Sequence, residues 1–237
     1  MIKSLTLSVL AVLSLLGSPL TASAQETGKP APQARDSYLV VTRQDMRKCA
    51  YPMCGGYFVK AVNQILTRCA DGSQQKECHA VQLDTKALGW TPEQQAAFEA
   101  ALARGRALVR GVLEPAPAGF YTADQLTVTE GWQAQGTHSA VGAFYGVKST
   151  GIVCIAAPCP SLAATKLNVT APVVNPSLDL TPSGASDKQI EAAQEALGGT
   201  GILAAGAIVP FKVPGPGGKL VREPRLLASE FYLPAKP

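Results

Sequence analysis

"LDTKALGWTPEQQAAFEAALARGRALVRGVLEP" (Leu83–Pro115) and "LDLTPSGASDKQIEAAQEALGGTGILAAGAIVP" (Leu178–Pro210) align without a gap at an offset of 95 residues. Leu83, Asp84, Gly89, Gln94, Ala97, Ala101, Leu102, Leu108, Gly111 and Pro115 are identical between them, ten of 33 positions and well above chance. The stretch therefore reads as one unit present twice.

The similarity continues outward. "LTVTEGW" (Leu126–Trp132) lies on "LLASEFY" (Leu226–Tyr232), and "YLVVTR" (Tyr38–Arg43) corresponds loosely to "AFYGVK" (Ala143–Lys148). Two cysteine loops match as well: "CAYPMCGGYFVKAVN" (Cys49–Asn63) and "CIAAPCPSLAATKLN" (Cys154–Asn168). Each holds two cysteines four residues apart and an Asn nine residues past the second. A period of roughly 100 residues in two copies is too long and too low in number for a solenoid.

Each copy has the same local grammar. Alternating β-rich residues predict strands at Tyr38–Arg43 and near Tyr57–Val62, with a third at about His79–Leu83. Thr91-Pro92-Glu93-Gln94 supplies a Thr N-cap, Pro at the first helical position and a capping-box Gln; Ser186-Asp187-Lys188-Gln189 matches it. Helices are expected at about 91–104 and 186–198, with Phe98, Ala101 and Leu102 on the buried face of the first and Ile190, Ala193 and Leu197 on that of the second. Strands follow at about Ala107–Leu113 and Ile202–Val209, then at Leu126–Trp132 and Leu226–Tyr232. The expected fold class is α+β: two tandem repeats, 36–135 and 136–237, each a small antiparallel sheet with one helix in the order β-β-β-α-β-β and stapled by disulfides. A sheet shared by both copies would remove the two-domain organisation.

The run "YLVVTRQDMRKCAYPMCGGYFVKAVN", followed by "CADG" and later by "GIVCIAAPCPSLAATKLN", resembles an uncharacterised family of exported bacterial domains with the pattern C-x4-C-G-G-Y-x-V-x-x-V-N. The second copy departs from it, with Pro160-Ser161 in place of Gly55-Gly56. The resemblance implies export and a paired-cysteine fold; it brings no activity and no catalytic residues.

The N-terminus reads as an address. Lys3 precedes an apolar run from Leu5 to Leu16, Gly17-Ser18-Pro19 breaks it, and Ala22-Ser23-Ala24 forms a cleavage site. Residues 1–24 are expected to be removed and 25–35 to form a disordered leader, leaving a periplasmic or secreted chain with no transmembrane segment, since the run is shorter than the ~20 residues a span needs. The formal charge of +4 is mild and the basic residues are scattered among few aromatics, which excludes a nucleic-acid stripe.

Six cysteines admit many pairings. Cys69 and Cys78 lie in an insertion absent from the second copy, which favours their pairing across a hairpin with its tip at Asp71-Gly72. Cys49–Cys54 and Cys154–Cys159 then remain, one pair per copy, with pairing between copies as the alternative. Redox catalysis would call for C-x-x-C at a helix start, and here four residues intervene ahead of a strand. Zinc is disfavoured: Cys69, Cys78 and His79 lack a fourth ligand at metal spacing, and export favours disulfides. No cofactor or metal is expected.

Hydrolase chemistry finds no support either. His79 and His138 fall in no recognisable constellation, G-x-S-x-G is absent, and Gly215-Pro216-Gly217-Gly218 reads as a turn. Asp84/Asp179 and Glu130/Glu230 recur, which favours structural roles, and Asn63 and Asn168 are assigned to turns or strand ends. The expected function is that of an exported non-enzymatic module that binds a protein or envelope component, with Tyr51, Pro52, Met53, Ala157 and Pro158 as candidate binding-loop residues. The alternatives are a secreted protease inhibitor with two disulfide-closed loops and, behind it, a thiol-disulfide oxidoreductase.

Overall fold

The computed structural model describes residues 35–118, 121–155 and 158–235. The expected export signal and nearly all of the expected leader lie outside them. In chain order the strands are β1 (Ser37–Gln44), β2 (Tyr57–Ala61), β3 (Thr67–Arg68), β4 (Gln74–Gln75), β5 (Cys78–Ala80), β6 (Gln82–Asp84), β7 (Ala107–Ala118), β8 (Tyr121–Ala134), β9 (Ala143–Ser149), β10 (Leu162–Lys166), β11 (Ser177–Asp179), β12 (Ile202–Pro214) and β13 (Leu220–Pro234). Two α-helices, α1 (Pro92–Ala103) and α2 (Asp187–Leu197), precede β7 and β12.

The expected fold class is corrected. Instead of two small α+β sheets, the described residues form one mostly antiparallel sheet of eleven strands, ordered β10-β9-β12-β13-β8-β7-β1-β2-β5. β6 and β11 join it in parallel beside β8 and β13, and β3–β4 is a separate hairpin. The halves meet at β13–β8, where Tyr232, Leu233 and Pro234 face Ala134, Gln133 and Trp132.

The reason lies in strand alternation, since successive side chains point to opposite faces. Leu39, Val41, Val109 and Val128 pack with Phe98, Ala101 and Leu102 of α1. In the second half Val147, Ile202, Ala204 and Phe231 pack with Ala193 and Leu197 of α2. The intervening residues are apolar too: Val40, Leu108 and Trp132 form a third cluster with Phe144, Leu203 and Tyr232. Burying a leucine such as Leu108 or Leu203 is worth about 1.5–3 kcal/mol relative to exposure. A half on its own would leave that second face in water.

Residues shared by the halves take shared local structures. Asp84 Oδ1 accepts from Lys86 N at 3.1 Å, and Asp179 Oδ1 from Thr181 N at 3.0 Å, each opening a 3-10 turn. Gly89 (φ 64°) and Gly184 (φ 68°) close those turns in the left-handed region. Thr91 and Ser186 cap the two helices, their backbone N–H groups each donating at 2.8 Å to Gln94 and Gln189. Gly111 and Gly206 face β-bulges at Thr129 and Ser229; a Cβ at Gly206 would lie 2.1 Å from the Leu227 carbonyl oxygen. One bulge is unshared. β1 is irregular between Val41 and Arg43, so upstream of it Tyr38 occupies the place of Phe144, one residue off the sequence alignment.

Asn63 and Asn168 do more than end strands. Both stand at positive φ, 59° and 58°. Asn63 donates to the carbonyls of Phe144 (2.7 Å) and Leu167 (3.0 Å) and accepts from Phe144 N (2.9 Å). Asn168 donates to the carbonyls of Tyr38 (2.7 Å) and Val62 (3.0 Å) and accepts from Tyr38 N (2.9 Å). Each asparagine thus serves the backbone of the opposite half.

Asn63→Ala removes three hydrogen bonds, each worth about 0.5–1.5 kcal/mol net, and adds left-handed strain. A loss of roughly 2–4 kcal/mol is expected from urea-unfolding midpoints, and Asn63→Gly, which relieves the strain, should still lose most of it. A change in Asn63→Ala too small to shift the midpoint would show that the halves do not depend on this bridge.

Candidate functional site

The cysteines pair within each half: Cys49 with Cys54, Cys69 with Cys78, and Cys154 with Cys159, at Cα–Cα distances of 5.5, 5.4 and 5.7 Å. The Cys69–Cys78 pair braces the β3–β4 hairpin, whose turn places Gly72 at φ 84° and has Asp71 Oδ1 accepting from Ser73 N at 2.8 Å. The other two pairs close the connections β1–β2 and β9–β10.

The Cys49–Cys54 loop is held from beneath by a buried carboxylate. Asp45, at the end of β1, takes bonds from Arg47 Nε (2.9 Å) and Nη2 (2.7 Å), and Arg47 Nη2 donates on to the Met53 carbonyl (3.1 Å). His79 Nε2 lies 2.7 Å from the Gly55 carbonyl and 3.2 Å from Asp45 Oδ2, so its proton is directed at both acceptors. Asp45 N donates to the Gly56 carbonyl at 3.0 Å. Gly56 sits at φ 72°, and a Cβ there would be 2.2 Å from the Ala80 carbonyl oxygen, which explains the Gly55-Gly56 pair after the loop. Phe58 extends the assembly sideways: its ring lies 4.9 Å from that of His79, and the Arg43 guanidinium lies 3.8 Å above it while pairing with Glu77.

The Arg47 hydrogen bonds hold the Asp45 carboxyl well below the usual carboxylate range. Beside it lies a cleft of about 500 Å³ lined by Met53, Phe58, Asp71, Glu77, His79 and Asp124. Burial pushes the Asp124 carboxyl up. Among the described residues no group of three or more His, Cys, Asp or Glu side chains is arranged to hold a metal ion.

Of the candidate loop residues, Pro52 is buried and lines the cleft, while Tyr51 (60% exposed) and Met53 (55%) are exposed to solvent. Pro158 is exposed in the second loop, and Ala157 lies outside the described residues. Among the described residues that loop has no carboxylate brace. Its stem is tied by Thr150, whose N and Oγ1 bond the Ser161 and Pro160 carbonyls at 2.9 and 2.7 Å, and it leaves Val153 and Ile155 fully in solvent. Asp45, Arg47 and His79 form a unit that the sequence pattern does not display; its one local trace is the spacing of Asp45 to Arg47, two residues apart just ahead of Cys49.

The fold and loops define a mostly-β protein with disulfide-braced connections. Over residues 38–237 the chain matches the family described as a domain of unknown function, DUF6748, and it belongs to that family. No curated protein and no solved structure matches it. No helix among the described residues is long and apolar enough to cross a membrane.

The lowered folded-state pKa of Asp45 fixes a pH signature. Its stabilising contribution is present above the unfolded carboxylate value of about 3.9 and is lost as pH falls toward the folded value. The difference in urea midpoint between wild type and Asp45→Asn should shrink as pH falls below about 4. A difference that grows as pH falls below about 4 would contradict the Arg47-bonded carboxylate.

Proposed function

We propose that this protein is an exported, non-catalytic binding module of the cell envelope, built from two copies of one ancestral unit. The Cys49–Cys54 loop is the recognition element. The observation that carries the reading is the loop's construction: a disulfide, the Asp45–Arg47 brace and the His79–Gly55 bond fix its backbone, while Tyr51 and Met53 remain in water. Ordering a loop before it meets a partner removes an entropic cost of binding, and large apolar side chains on such a loop are natural anchors. Three disulfides support an oxidising, extracytoplasmic setting.

The inhibitor reading is favoured by one feature, the full exposure of Ile155 inside the Cys154–Cys159 loop. Tyr51→Ser with Met53→Ser should abolish co-purification of a periplasmic partner while leaving the unfolding midpoint unchanged. Retention of the partner by this variant would remove the loop from recognition. Cys49→Ser with Cys54→Ser should lower stability by about 2 kcal/mol with no insulin-reducing activity to lose. Insulin reduction that disappears in the cysteine variant would make the protein an oxidoreductase. Stoichiometric serine-protease inhibition abolished by Ile155→Gly would make it an inhibitor.

A further inference from the structure

The β12–β13 ribbon is longer than the sheet requires. β9 pairs β12 only as far as Gly206, and β11 pairs β13 only from Arg225 onward, so the pairs from Pro210↔Pro224 to Pro214↔Leu220 stand free. On this free segment Lys212 lies directly opposite Arg222, and both are exposed. Lys219 follows at the turn, next to Leu220, which is 66% exposed. Among the described residues none of these three cations has an acidic partner; the ribbon's own ion pair, Arg225 with Glu223 at 3.7 Å, uses the fourth, which also lies 3.3 Å over the Phe211 ring.

Like charges directly opposite each other in a ladder work against it. The ribbon does not need them. Its counterpart, the end of the β7–β8 hairpin, has no Lys or Arg between residues 112 and 124 and carries Glu114 and Asp124 instead. Beyond Gly111 the open edge of β7 is blunted by Pro115 and Pro117, as that of β12 is by Pro210 and Pro214, while on β8 the Asp124 carbonyl accepts from Val81 N at 2.9 Å. The same structural element therefore folds and stays protected without cations. The three cations of the second ribbon are left without a structural task.

Cations flanking an exposed aliphatic side chain at the end of a projecting element match a phospholipid interface, where the charges meet phosphates and the apolar group enters the acyl boundary. A nucleic-acid strand would instead call for a series of exposed aromatic rings to stack on, whereas the free segment offers one, Phe211, and Arg225 lies over a face of its ring. We propose that the β12–β13 ribbon docks the protein on an anionic phospholipid surface through Lys212, Lys219, Arg222 and Leu220. This rests on the envelope reading but uses a surface separate from the Cys49–Cys54 loop.

The test is co-sedimentation of the purified protein with phosphatidylcholine vesicles, with and without phosphatidylglycerol. Binding is expected only to the anionic vesicles, and it should weaken as salt is raised. Each cation near such a surface contributes about a five-fold factor in affinity, so Lys212→Gln with Arg222→Gln should weaken binding about 25-fold. Lys212→Glu with Arg222→Glu keeps the ribbon charged against edge pairing and should abolish binding. Leu220→Ser, a change at an exposed turn that leaves the ladder intact, should weaken binding at every salt concentration. Undiminished binding by either double variant would overturn the proposal. So would equal binding to a single-stranded oligonucleotide that is insensitive to Leu220→Ser. The Tyr51/Met53 variant should bind vesicles as wild type does, so a failed loop reading and a failed ribbon reading give different results.

Discussion

The long strands of this protein are apolar on both faces, and the rest of the structure answers that constraint. Ala107 and Val109 face α1, yet Leu108 between them is equally buried; Ile202 and Ala204 face α2, with Leu203 between them. One helix of 11 or 12 residues can cover one face of a small sheet. The other face needs a second cover, and each half supplies it to the other. The ladder across the join is short, three residue pairs with Pro234 unable to donate. Cohesion there comes chiefly from Leu108, Trp132, Leu203 and Tyr232 packed together, and from the asparagines that satisfy backbone groups across the gap. The buried Glu230 adds a polar tie: it accepts from Arg106 of the first half at 2.5 Å and from Gly136 N of the connecting segment at 2.6 Å.

This constraint also separates what the sequence displayed from what it concealed. The helix starts were legible because a capping box is a local pattern, and both form at Thr91 and Ser186. The extra burial of Leu108 and Leu203 was present in the runs "ALVRGV" and "ILAAGAIV", which lack clean alternation. Such runs mark strands covered on both sides. One helix per small sheet would cover them on a single face and leave two separate sheets, an arrangement that the continuous eleven-stranded sheet overturns. Prolines hid the strand lengths as well. Pro115, Pro210 and Pro224 look like breakers, but they sit on ribbon segments with an open edge, where a missing N–H costs no ladder bond. The brace under the Cys49–Cys54 loop was concealed for another reason: Asp45 and His79 are 34 residues apart and meet only because β2 pairs both β1 and β5.

The shared residues explain the fold, and for that reason they say little about function. Asp84 and Asp179 open turns, Gly89 and Gly184 close them, Gly111 and Gly206 admit bulges, and Thr129 and Ser229 bond the carbonyls opposite those bulges at 3.1 Å. Each task is imposed by backbone geometry and recurs wherever the geometry does. Glu130 and Glu230 show the transition. At the same place in the two halves, Glu130 pairs with Arg110 of its own half and bonds the Trp132 indole, whereas Glu230 reaches Arg106 of the other half. Once the scaffold is satisfied, side chains are free to differ.

The halves diverge past their last common pairing; besides the β3–β4 hairpin, which the second half lacks, the two places that the proposals above use differ in kind. The first loop has Gly55-Gly56, which lets its backbone close onto Ala80 and take the Asp45 brace; Pro160-Ser161 in the second forbids the same approach, since Gly56 needs both positive φ and room that no Cβ can have. The ribbons diverge in charge, from Glu114 and Asp124 in one to Lys212, Lys219 and Arg222 in the other. Neither difference touches the shared core, because loops and ribbon ends lie past the strand segments that carry Leu108, Leu203, Trp132 and Tyr232. A core that ties both halves together thus leaves each free to specialise at its periphery, one with a rigid apolar loop and the other with a cationic arm.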